Sequence, residues 1–148
     1  LTQHKDGDAG ASYLELVDLL QSRGSNRVAD CEQLFHRVVF NIMIHNTDDD
    51  LRNHGFFIDA LGVRLSPAYD MNPSVDRTEL SLAINEVDTE CDLSIAMNAH
   101  KDYGLSAQQA EHVRREVQTA AVTWREEANR LQISKAEQDM MAAAFEHS

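Results

Sequence analysis

One stripe of residues limits how this chain can fold more than any other feature. Leu34, Val38, Val39, Ile42 and Met43 recur at three- and four-residue spacing and thicken into an almost fully apolar run from Val38 to Ile44. The period is helical, and a helix apolar on so many sides has to be buried. Asp30 is expected to cap its start. Its far end runs straight into Asn46-Thr47-Asp48-Asp49-Asp50-Leu51-Arg52-Asn53. A rigid core helix therefore delivers an acidic loop.

The flanking pattern is mostly helical as well. Residues 1–11 are polar with two glycines and read as loop. Ser12 is placed to cap a helix over 13–21 that Gly24 ends. Beyond the acidic loop, Phe56 to Ile58 and Val63 to Leu65 read as two short strands, with Gly62 supplying the positive φ of a tight turn. Residues 80–84 read as a brief apolar strand. From Asp92 onward helices return. One begins at Leu93 and stops near Gly104; Ser106 caps a long one carrying Ala110, Val113, Val117, Ala121 and Trp124 on one face. Ser134 caps the last, with Glu137 three residues on as a capping box and Met140, Met141, Ala144 and Phe145 inside. The expectation is one mainly α domain over 1–148 with a single small β-hairpin.

Composition removes several functional classes. With 148 residues, 43% hydrophobic and 26% charged, the chain suits one globular core. A net charge of −12 and 13 scattered basic residues argue against direct nucleic-acid binding, which needs clustered Lys and Arg. No apolar run approaches the about 20 residues that span a membrane, and the N-terminal residues do not form a signal peptide. Cys31 and Cys91 lack CxxC spacing and suit two reduced thiols in a cytoplasmic protein, with a single bridge still open. The first residue is Leu, so a fragment or a processed product is expected.

The acidic loop carries the chemistry. Asp48 is followed by Asn53 five residues later, and Asp70 lies beyond the hairpin in Ser66-Pro67-Ala68-Tyr69-Asp70. Phosphoryl transfer uses groups in this order: an Asp that accepts the proton of the attacking hydroxyl, an Asn in the same loop that holds Mg²⁺, and a further Asp that holds metal from the other side. A hairpin would fold Asp70 back towards Asp48 and Asn53. Aspartates also crowd loops merely because they form turns and caps, and that is the reading of 48–50 taken alone. Asn53 and Asp70 in sequence shift it to a site, with Asp49 expected to face solvent. A Ca²⁺ loop fails: counted from Asp48, positions 5, 6 and 12 are Arg52, Asn53 and Asp59. His45 and His54 stand nine apart with no Cys nearby, which gives zinc little support. Arg52 reads equally as a phosphate contact or a structural counterion, and Tyr69 as an adenine contact or a packing residue.

Several separate blocks resemble the C-terminal part of HipA-like serine/threonine kinases, the toxins of bacterial toxin–antitoxin pairs. They are Arg37-Val38-Val39-Phe40-Asn41, Asn46-Thr47-Asp48-Asp49, Leu51-Arg52-Asn53-His54-Gly55-Phe56, Arg64 to Asp70, Asn72-Pro73, and the tail from Tyr103-Gly104-Leu105-Ser106 to Trp124 and Ala128. The resemblance implies the helical C-terminal lobe of a kinase-like fold. It assigns Asp48 as catalytic base, Asn53 and Asp70 as Mg²⁺ ligands, and Asp50, Arg52, Asn53, Tyr69 and Asp70 to the nucleotide. It further implies ATP as co-substrate, a protein substrate phosphorylated on Ser or Thr, and a HipB-like antitoxin partner.

Two departures accompany it. The family usually has His two residues after the catalytic Asp, where this chain has Asp50, a third negative charge in place of a donor. The chain also has no GxGxxG and no strand lysine, its lysines being Lys5, Lys101 and Lys135. The nucleotide-holding portion is accordingly expected to precede Leu1, and the chain alone to be inactive. The rival functions are a non-catalytic interaction module that retains the lobe and a small-molecule kinase, which shares the Asp-to-Asn spacing. The tail matches beyond Asp92 argue against the latter.

Overall fold

A computed structural model describes residues 10–146. Ser12 opens α1 (Tyr13–Arg23) with a full capping box to Glu15, and Gly24 ends it with its N–H on the Leu20 carbonyl. The long apolar stripe becomes α2 (Arg27–Met43). It starts before Asp30: Asn26 occupies the cap, and Asp30 sits buried inside the first turns, where it takes a bidentate pair from Arg64 and the Leu65 N–H. An acid that sequence alone placed at a helix start instead ties α2 to the hairpin.

The hairpin pairs β1 (Phe56–Asp59) with β2 (Gly62–Leu65) antiparallel, Phe56 opposite Leu65 and Asp59 opposite Gly62. The Asp59 carboxylate accepts from the N–H groups of Leu61 and Gly62, which closes the turn. Gly62 has φ of +152°, and a Cβ there would meet the Arg23 carbonyl oxygen at 2.2 Å. The glycine therefore lets the hairpin tip pack directly on the end of α1.

Residues 80–84 form no strand. Leu80, Leu82, Ala83 and Ile84 are buried, but the segment forms only an isolated bridge, Ser12 with Ala83, and single backbone bonds such as Leu80 N–H to the Thr89 carbonyl and Ser81 N–H to the Thr47 carbonyl. Then follow α3 (Leu93–Asn98), α4 (Ala107–Ala121), α5 (Trp124–Arg130) and α6 (Lys135–Met141). Ser106 and Ser134 both make full capping boxes. The face drawn through Trp124 is broken, because α4 ends at Ala121 and Trp124 opens a new helix. Met140 is 66% exposed, so the last helix buries less than its apolar content suggests. The architecture is thus mainly α with one small hairpin.

α2 lies between α1 and α4. Leu34, Phe35, Val38, Val39 and Ile42 are at most 1% exposed, and Phe35 meets Tyr103 edge-on at 5.2 Å between ring centres. Each such side chain contributes about 1.5–3 kcal/mol by leaving water. The helix is therefore a firm base for the loop at its end. Among the described residues no helix is long and apolar enough to cross a membrane.

Candidate active site

At the end of α2 the chain turns through His45 in the left-handed region, φ 55°, and the Asn46 N–H returns to the Asn41 carbonyl. Thr47 is held from the other side, its carbonyl accepting from both the N–H and the hydroxyl of Ser81. The next three acids part company. Asp48 is exposed, with Arg77 at 3.4 Å. Asp50 is mostly covered and faces Arg52 at 3.7 Å. Asp49 is only 2% exposed, and one oxygen accepts from Tyr13 Oη at 2.6 Å and Asn41 Nδ2 at 2.8 Å, with His54 Nε2 at 2.8 Å.

Asp49 thus corrects the expectation that it faces solvent. A carboxylate can be dehydrated when donors surround it, and here they come from α1, α2 and the residue after the loop. Burial pushes the Tyr13 hydroxyl well above its usual pKa, and the neighbouring Asp49 charge adds to the rise, so Tyr13 remains a donor. Asn41 works with both ends of its amide, since its Oδ1 accepts from Asn46 Nδ2 at 3.1 Å. Tyr13, Asn41 and His54 were missed as site-building residues. Asn41 left a signal: it is a polar residue in the middle of a buried apolar run, and such a group needs partners.

The loop closes in a short 3-10 turn over Leu51–Asn53, where the Asn53 N–H bonds to the Asp50 carbonyl and Asn53 is buried. The hairpin then brings the second segment back. The Ser66 N–H bonds to the Gly55 carbonyl, and Tyr69 Oη donates to the Arg52 carbonyl at 2.6 Å. The residues adjoining Asn53 and Asp70 are therefore in direct contact. Further on, the Ser74 N–H bonds to the His45 carbonyl, and Arg77 reaches Asp48. The 66–77 segment accordingly runs beside the acidic loop. Asp70 itself is exposed, takes φ of 57°, and accepts from Asn72 Nδ2 at 2.8 Å. Tyr69 is 48% exposed despite its bond to Arg52.

Behind both segments lies Arg37, 4% exposed on α2, with Nη2 donating to the Ser66 carbonyl. Its Nε and Nη1 are buried and find no partner among the described residues. Burial pushes this guanidinium below its usual pKa, while the Asp49 charge opposes that push.

With both segments in place, the family model for the HipA-like C-terminal domain matches residues 1–125. The chain belongs to that family. No curated protein sequence matches it. As a HipA-like domain it is kinase-related, and the match takes in the acidic loop, the hairpin and the Tyr69-Asp70 segment. α6 and most of α5 lie beyond the matched residues. Among the described residues no three His, Cys, Asp or Glu side chains gather as a metal cage. The oxygen donors of Asn53 and Asp70 are of the hard type that Mg²⁺ prefers, and Mg²⁺ commonly takes only one or two protein ligands, with phosphates and water supplying the rest. The fit is one of donor type: two hard oxygens on segments that the Tyr69–Arg52 bond sets side by side.

Proposed function

We propose that this chain is the catalytic lobe of a HipA-like kinase that transfers the γ-phosphoryl group of ATP to a Ser or Thr hydroxyl of a protein substrate. The observation that carries the reading is the Tyr69–Arg52 hydrogen bond, which sets the segment bearing Asp70 against the loop bearing Asp48 and Asn53. In this reading the substrate oxygen bonds to the γ-phosphorus, the bond to the β–γ bridging oxygen breaks, and ADP departs. Asp48 takes the proton of the hydroxyl. Asn53 and Asp70 would hold Mg²⁺, which supplies charge neutralisation at the phosphates. Asp50, Arg52 and Tyr69 would frame the nucleotide. Positioning and electrostatics then supply the rate, without a covalent intermediate.

The sequence holds no GxGxxG phosphate loop, so on this reading the chain needs a nucleotide-holding portion to be active. A protein carrying both halves would act in the cytoplasm with a HipB-like antitoxin as partner. The deciding assay follows label from [γ-³²P]ATP in that protein. Asp48→Asn should abolish transfer, and leave stability nearly unchanged because its ion pair with Arg77 is solvent-exposed. Retained transfer would exclude Asp48 as the base.

One observation favours a second reading, a non-catalytic module that retains the lobe. Asp50 replaces an imidazole and engages Arg52. Restoring the family residue with Asp50→His should raise activity or nucleotide affinity under the first reading and change neither under the second.

A further inference from the structure

Two of the three buried polar side chains of α2, Arg37 and Asn41, lie one helical turn apart. Residues four apart on a helix share a face. Asn41 grips the acidic loop at two places, through Nδ2 on the Asp49 carboxylate and through Oδ1 and its backbone carbonyl on Asn46. Arg37 grips the other segment through the Ser66 carbonyl, at the point where the hairpin strand gives way to Ala68-Tyr69-Asp70. Among the described residues no other element joins both segments through buried side-chain bonds. We propose that the Arg37–Asn41 turn of α2 is a positioning element that sets the Asp48–Asn53 loop and the Ser66–Asp70 segment in register. The proposal rests on the reading that those two segments carry the reacting groups.

Packing alone does not account for Arg37. Two of its nitrogens are buried and unpaired among the described residues, and such donors cost stability. Apolar replacement of buried ionic groups is often neutral or stabilising. A methionine there would fill similar space beside Phe40, Ala68 and Met71, which line the same hollow as Arg37. What methionine cannot do is donate to Ser66. The charged groups facing Arg37 are Asp49, across the core on the loop, and Asp30, on its own helix; Tyr69 also faces it, from the second segment. Asp49 is in turn held by Tyr13, Asn41 and His54. A change at either anchor is therefore felt at the other through one rigid turn, with a longer-range charge attraction between Arg37 and Asp49 beside it.

The test uses the isotope-labelled chain with Mn²⁺ as a probe, and reads backbone amide resonances together with thermal melting. Arg37→Met should melt no lower than the parent. Its amide shifts should nonetheless extend beyond residues 65–70 into 48–54, and Mn²⁺ affinity should fall roughly tenfold, as for loss of an outer-shell partner. Asp49→Asn should shift the amides of 66–70, and Arg37→Lys should recover part of the affinity. The double variant should bind Mn²⁺ no more weakly than the worse single one, because both changes break one linkage. Shifts confined to each variant's own segment, or Mn²⁺ losses that multiply, would overturn the proposal. Failure of Mn²⁺ to broaden any of residues 48, 53 and 70 in the parent would instead remove the metal-site reading. The amide shifts would still decide whether the turn couples the segments.

Discussion

The junction of α2 with the acidic loop and the α5–α6 hairpin hold themselves together in different proportions of polar and apolar contact. At the junction the core is polar: Asn41, Asn46, Asp49 and His54 are all at most 6% exposed and joined by directed hydrogen bonds. At α5–α6 directed bonds are fewer, Gln138 to Asn129 and the Ile133 carbonyl and Arg125 to Asp139, and an aromatic stack joins them, Trp124 on Phe145 just past α6 with ring centres 4.3 Å apart and planes 10° from parallel. A cavity of about 520 Å³, lined by Phe40, Ile44, Met71, Trp124 and Ile133 among others, is left between that hairpin and the body. Directed bonds among dehydrated groups fix positions, and losing a partner there is costly. Apolar contact around a cavity leaves slack. The contrast follows what each region holds: the polar junction bears the loop read as catalytic, whereas most of the α5–α6 hairpin lies beyond the family match.

The largest effect expected from this contrast is at Asp49. Asp49→Ala leaves the Tyr13, Asn41 and His54 donors buried without their acceptor, and should cost about 3–5 kcal/mol in urea denaturation, the usual range for breaking a buried charged pair. A loss under 1 kcal/mol would show that water replaces the carboxylate and that the junction is not rigid. Phe145→Ala should cost less, about 1–2 kcal/mol, because a half-buried ring gives up partial burial and one aromatic stack. Its loss should also be local: amides of α6 should exchange faster while those of α2 keep their protection. Equal acceleration in both helices would make the two regions one cooperative unit. Ser134→Ala should cost about 1 kcal/mol through the lost cap, again confined to α6.

Much of this fold was legible because its signals are local. Ser12, Ser106 and Ser134 each act within one helical turn, and the glycine at 62 acts at its own φ, so short windows of sequence place α1, α4, α6 and the hairpin. Asp30 misled because an acid before an apolar stripe reads as a cap, while its real partner, Arg64, is 34 residues away. Residues 80–84 misled because burial and strand pairing give the same apolar run. The site divides likewise. Asp48, Asn53 and Asp70 stand in a motif order visible in one dimension. The role of Asp49 depends on Tyr13, Asn41 and His54, which only folding assembles, and nothing in the triplet 48–50 distinguishes its middle member. Arg37 and Asn41 were the readable clues, polar residues at a four-residue interval within the helix that most limits the fold.

The smallest effect separates the two regions by pH. Glu137 is exposed, and hydrogen bonds from Ser134, first from its side chain and then from its backbone, hold its carboxyl below the usual glutamate range. A carboxylate with a depressed folded-state pKa stabilises above its unfolded value and loses that contribution as pH falls through the folded one. With an unfolded glutamate near 4.3, acidification below about pH 4 should loosen the first turn of α6. Amide exchange at 135–138, corrected for its intrinsic pH dependence, should report a fall in protection there. Glu137→Gln should flatten that response while leaving α1 unaffected. If the response persists in the variant, the acid sensitivity of α6 originates elsewhere, with the Arg125–Asp139 pair as the next group to remove.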